Sequence, residues 1–114
     1  MNNLTTFVLT SQGRSLESAM QLHDATLLSV MLKWSESVAE LALLLGSNLP
    51  ATLAFQGVTY ASLPREQPWG PSDSINKTRS LPVGEYAVEM QSGDVLVFRA
   101  ASWSLSITAA PSEA

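Results

Sequence analysis

The only histidine of this 114-residue chain, His23, is followed by Asp24, a pairing that can hold a metal ion or move a proton. Imidazole titrates near neutrality, and a neighbouring carboxylate can orient it. A metal site or a phosphohydrolase of His-Asp type needs further ligands, and the chain has neither a second histidine nor any cysteine. The plainer assignment is structural: His23 closes a short helix and Asp24 caps the turn that follows. His23 and Asp24 stand as the candidate ligand residues, with no metal and no cofactor expected.

The remaining catalytic patterns are absent or weak. Sixteen serines make chance proximity to His23 easy, but no Gly-x-Ser-x-Gly elbow and no glycine-rich phosphate loop occurs. Glu85 and Glu89 share one strand face, but it is the face that reads as solvated, so they do not read as an acid–base pair. No catalytic residue is assigned.

A better candidate is the irregular stretch 64–84, which holds Pro64, Pro68, Pro71 and Pro82 with Gly70 and Gly84. Loops longer than about 12–15 residues in a small domain are usually functional or disordered. This one carries Trp69 in Gln67-Pro68-Trp69-Gly70-Pro71, together with Arg65, Lys77 and Arg79, half of the six basic residues. An aromatic anchor beside basic side chains suits a protein-binding hot spot. The alternative is that Trp69 folds back as a plug over the end of the domain. Trp69, Arg65, Lys77 and Arg79 are the candidate partner-binding residues.

The elements that must position these residues read mainly as strands. Residues 4–10 suit a first strand, and Leu16, Ala19, Met20 and His23 recur at helical spacing behind Ser15, predicting a helix over roughly 15–22. From Thr26 to Trp34 the period becomes two, with Leu28, Val30, Leu32 and Trp34 on an apparent buried face. Residues 37–45 fit a hairpin partner better than a helix. Leu53 and Phe55, then Val58 and Tyr60 on the other parity, suggest one strand bulged at Gly57. Residues 85–108 read as a three-strand meander turning at Ser92-Gly93, and the Ser and Thr face of its last strand reads as solvated, which suits an edge or a one-sided sheet. The expected fold is mainly β (α+β): six to seven antiparallel strands curled into a small barrel or sandwich, with one short N-terminal helix. Residues 1–110 form one domain and 111–114 a frayed tail.

Composition narrows the function classes. Net charge is −4, which argues against phosphate neutralisation and hence against nucleic-acid binding. Without cysteine there is no disulfide, thiol catalysis or cysteine-ligated metal. No apolar run approaches the ~20 residues of a membrane helix, and no basic segment with an apolar run opens the chain, so a cytoplasmic protein is expected. Charged residues make up only 14%, against about 25% in an average domain, which hints at an adhesive face.

Several segments together resemble a group of small bacterial proteins distantly similar to immunity proteins encoded beside polymorphic toxins. They are His23-Asp24-Ala25, the alternating strand ending at Trp34, Phe55-Gln56-Gly57-Val58, Pro68-Trp69-Gly70-Pro71-Ser72 with Ile75-Asn76, and Met90-Gln91-Ser92-Gly93-Asp94. The likeness spans roughly residues 23–98 and brings no catalytic residues with it. It implies a non-catalytic protein-binding domain, an immunity-type inhibitor or adaptor whose partner is another protein, such as a basic toxin. The alternatives are a self-associating structural domain that pairs as a homodimer, and a small-ligand binder or enzyme with a site near His23 and Asp24.

Overall fold

A computed structural model of the protein describes residues 5–12, 14–19, 22–66 and 73–109. Nine strands are present among the described residues: β1 (Thr5–Thr10), β2 (Thr26–Lys33), β3 (Val38–Leu45), β4 (Leu49–Gln56), β5 (Tyr60–Ser62), β6 (Ile75–Leu81), β7 (Glu85–Met90), β8 (Val95–Arg99) and β9 (Ser102–Ala109). They form a five-stranded sheet of order β1-β9-β4-β3-β2 and a four-stranded sheet of order β5-β8-β7-β6, both antiparallel. The sheets face each other as a sandwich and do not close into a barrel.

Period-two patterning fills the space between them. Ala39, Leu41 and Leu43 of β3, Leu53 and Phe55 of β4, and Trp103 and Leu105 of β9 point inward and are buried. From the other sheet come Ile75, Val88, Leu96 and Phe98, joined to the first set in one apolar cluster. Phe55 stacks on Phe98 with ring centroids 4.6 Å apart and also meets Tyr86 at 5.4 Å, so aromatic contacts bind one sheet to the other.

The chain passes between the sheets at neighbouring places. After β4 it leaves through 57–59, and after β8 it returns through Ala100 and Ala101. Gly57 has φ +68°, and a Cβ there would lie 2.8 Å from that of Ala101. Only glycine fits, on grounds of both conformation and space. Ala101 N–H donates to Gln56 O at 2.9 Å, and Thr59 N–H to Arg99 O at 2.9 Å. Along one edge, a short seam joins the sheets through Asp24 N–H to Ile75 O, Ile75 N–H to Ala25 O and Leu27 N–H to Asp73 O.

Several expectations are corrected. The single strand bulged at Gly57 is two strands, β4 and β5, in different sheets. The stretch 64–84 is not one irregular loop, because it contains β6. That strand is an edge, where neighbouring prolines are tolerated. The meander ends at β8: β9 crosses over and inserts between β1 and β4, so of the two readings of its Ser face the edge fails, and the face is the outer side of an interior strand whose Trp103, Leu105 and Ile107 are buried. The helix expected over 15–22 is, within the described residues, the single turn α1 (Leu16–Ala19). The tail 111–114 lies outside the described residues.

The turn α1 is clamped to β6. Ser80 Oγ accepts from Leu16 N–H at 2.7 Å, and Ser80 N–H donates to Glu17 Oε1 at 2.8 Å. Desolvation opposes the charge on Glu17, but the backbone N–H groups of Glu17 and Ser80 and the hydroxyls of Ser80 and Ser15 outweigh it. They hold the carboxyl below its ordinary 4.5. A folded-state value lowered in this way stabilises the protein above the unfolded value and stops doing so as pH falls through the folded one. Thermal melts should therefore separate wild type from Glu17→Ala fully above pH 4.5, with the gap closing as the pH drops further below it.

Trp103 brings a cost into the core: its indole Nε1 is buried without a hydrogen-bond partner. An orphaned donor of this kind costs about 1–3 kcal/mol. Trp103→Phe removes that N–H along with some volume. In urea unfolding it should change stability by less than about 1 kcal/mol, against a loss of about 3–5 kcal/mol for Trp103→Ala.

Candidate partner-binding surface

Charge is divided unequally between the sheets. The strands of the four-stranded sheet carry Lys77, Arg79, Glu85, Glu89 and Arg99. The five strands of the other sheet carry only Lys33 and Glu40, which pair with each other at 3.3 Å. The low charge density of the sequence is thus concentrated in one sheet, whose outward residues include Ser29, Met31, Ala42, Thr52, Ala54 and Ser104.

That sheet ends at β2, and there the sequence expectation is overturned. Of the apparent buried face of Leu28, Val30, Leu32 and Trp34, only Val30 packs against the core, while Leu28 is 57% exposed, Leu32 50% and Trp34 94%. Two causes combine. The register shifts between Leu27 and Ser29, so residues on either side of the bulge change faces. The seam to the other sheet also stops at Leu27, leaving the rest of β2 with a partner on one side only among the described residues.

Trp34 is held out by its backbone. Residues Trp34–Glu36 form a 3₁₀ turn closing the β2–β3 hairpin, and Ser37 follows in the left-handed region with φ 56°. Ser37 O accepts Val58 N–H at 2.8 Å, which fixes the hairpin end against the start of β5. Between them lies an open groove of about 560 Å³, lined by Leu32, Lys33, Trp34, Val38, Val58 and Tyr60, among others. Tyr60 is 47% exposed, and the Arg99 guanidinium lies over its ring at 5.0 Å. Glu85 takes up that guanidinium through Nε at 3.0 Å and Nη2 at 2.7 Å. Two aromatic rings therefore border an apolar groove whose nearby cations are each matched by a carboxylate.

The residues singled out from sequence are not gathered there. Lys77 and Arg79 project from the outer face of edge strand β6, Lys77 lying 3.9 Å from Glu89. Arg65 is exposed beside the turn at 91–94. Trp69 lies outside the described residues, but the chain on both sides of 67–72 is anchored. Glu66 N–H donates to Asp94 Oδ1 at 3.1 Å, and Asp73 O accepts from Leu27. The buried Asp94 also accepts from the Ser92 hydroxyl at 2.9 Å, so Gln-Ser-Gly-Asp acts as a structural turn. Sequence reasoning missed Trp34 and Tyr60. The one signal for Trp34 is its place at the Ser35-Glu36 turn, where a ring has no facing strand.

His23 and Asp24 belong to the seam. Since a carbonyl oxygen only accepts, the 2.8 Å contact of His23 Nδ1 with Asn76 O assigns the ring hydrogen to Nδ1. Nε2 lies 3.5 Å from Asp24 Oδ2. Asp24 sits in the left-handed region at φ 69° and accepts a hydrogen bond from the Gln91 side chain. No cluster of three potential ligands exists among the described residues. Nor is any helix among them long and apolar enough to cross a membrane.

His23→Ala should lower stability by about 0.5–1.5 kcal/mol through the lost bond to Asn76. Zinc added in excess should leave the melting temperature of wild type unchanged; a rise seen in wild type and lost in His23→Ala would revive the metal reading. Set against protein-family models, curated proteins and solved structures, the chain matches none, so its function has to be read from its own surface.

Proposed function

We propose that the chain is a non-catalytic protein-binding domain, of inhibitor or adaptor type, that docks through the apolar end bearing Trp34 and Tyr60. The observation that carries this reading is the 94% exposure of Trp34 on an ordered hairpin turn. An indole left in water forfeits about 1.5–3 kcal/mol or more of burial that a partner restores. Tryptophan and tyrosine bordering a groove are the residue types that anchor protein interfaces. The engagement of His23 and Asp24 in the seam supports binding over catalysis. The resemblance to immunity proteins points the same way, and the net charge of −4 would steer a basic partner toward the molecule. A second contact through Trp69 is supported by its residue type and by the hydrogen bonds that hold Glu66 and Asp73 on either side of 67–72.

The test compares wild type with Trp34→Ala and Trp69→Ala as baits in a lysate of the source organism, with melting curves alongside. Trp34→Ala should weaken capture of a stoichiometric partner by at least about thirtyfold, with stability within about 0.5 kcal/mol of wild type. Undiminished capture by Trp34→Ala, with loss in Trp69→Ala, would move the interface to 67–72. A specific activity that survives both changes and disappears in His23→Ala would replace binding with catalysis.

A further inference from the structure

We infer that the occupant of this surface is a second copy of the chain, paired antiparallel along the edge of β2 that is unpaired among the described residues, so that two five-stranded sheets become one. The inference rests on the preceding reading that the β2 end is a docking surface, and it names a partner.

The edge itself is the first ground. Beyond Leu27, residues 28–32 read Leu-Ser-Val-Met-Leu, with no lysine, glutamate or proline to block a neighbouring strand. Monomeric sheets usually protect such an edge with charge, proline or a cover. Here the bulge and the seam protect its beginning and Lys33 its end, and between them, among the described residues, Leu28, Met31 and Leu32 remain at least half exposed.

Charge is the second ground. A chain of net charge −4 repels its own copy. The repulsion is least at the five-stranded sheet, whose only charged residues cancel in the Lys33–Glu40 pair. A basic foreign protein drawn in by the overall charge would find no unpaired carboxylate on the strands of this sheet, whereas an identical neutral edge loses nothing. Symmetry is the third ground. Pairing of β2 with β2 places the same surface on both sides of a twofold axis and closes after two copies. Pairing of β2 with the other free edge, β1, would instead continue without limit.

Sedimentation equilibrium on the full chain provides the test. Wild type should reach twice the chain mass of 12.2 kDa. Met31→Lys, a change at a 56% exposed position, should run as a monomer with its melting curve retained. Because the chain has no cysteine, a single one reports contact cleanly. Met31→Cys should form a covalent dimer with a short bismaleimide, while Arg79→Cys, on the outer face of the other sheet, should not. Should Met31→Lys fail to fold, the cysteine pair decides alone. A wild type monomeric at about 100 µM, oligomers larger than two, or equal crosslinking at both positions would overturn the inference. A monomer that still loses a foreign partner on Trp34→Ala would leave the binding reading standing, so the two can fail separately.

Discussion

The sandwich depends on one close crossing. The chain leaves the five-stranded sheet after Gln56 and re-enters it before Ser102, and these passages touch where Gly57 meets Ala101. A side chain at Gly57 would force them apart. With them would go the hydrogen bonds that tie Gln56 to Ala101 and Thr59 to Arg99. The consequences reach into the core, because Phe55 and Phe98 sit two and three residues from the crossing and stack across the gap between the sheets. The crossing also fixes Val58 against the β2–β3 turn, which sets the position of Trp34. A backbone constraint with no chemistry of its own thus determines both how the sheets face each other and where the exposed ring stands.

The two sheets then play different roles. Lys77, Arg79, Glu85, Glu89 and Arg99 give the smaller sheet a charged outer face, with Lys77 paired to Glu89 and Arg99 to Glu85. Exposed pairs of that kind contribute little to stability, but they keep that face in water. The larger sheet has no such coat. Its outward serines, alanines and threonines are small and neutral, and its two terminal strands each have a partner on one side only among the described residues. Binding potential therefore collects on one side of the molecule, and the groove at Trp34 lies where that side meets the crossing.

The parts of this arrangement visible in the sequence are those governed by local period. Alternation through Leu41 and Leu43 identified the β2–β3 hairpin, and Tyr86, Val88 and Met90 identified β7. What escaped was decided at long range. β6 has few buried side chains, Ile75 and Thr78 among them, and lies among prolines, so nothing local marks it as a strand. The break at Gly57 looks the same in sequence whether the chain bulges within a sheet or changes sheets. Leu28, Leu32 and Trp34 were misread for a related reason: alternation reports which residues share a face, but burial also requires another layer over that face. At an edge strand with a shifted register, that layer is missing. The candidate site shows the same split, since His23-Asp24 and the segment around Trp69 stand out as motifs while Trp34 and Tyr60 become neighbours only through the fold.

The position of β9 has its own consequence. It is the last of the described strands, yet it lies inside the larger sheet, hydrogen-bonded to β1 on one side and to β4 on the other. Until residues 102–109 have been synthesised, β1 lacks the one neighbour it has among the described strands, and β4 presents Leu53 and Phe55 along the margin that β9 will cover. Folding therefore cannot proceed strand by strand as the chain emerges; the sheet must wait for its keystone. Chain shortening that reaches Trp103 or Leu105 would remove the middle of the sheet rather than trim an end.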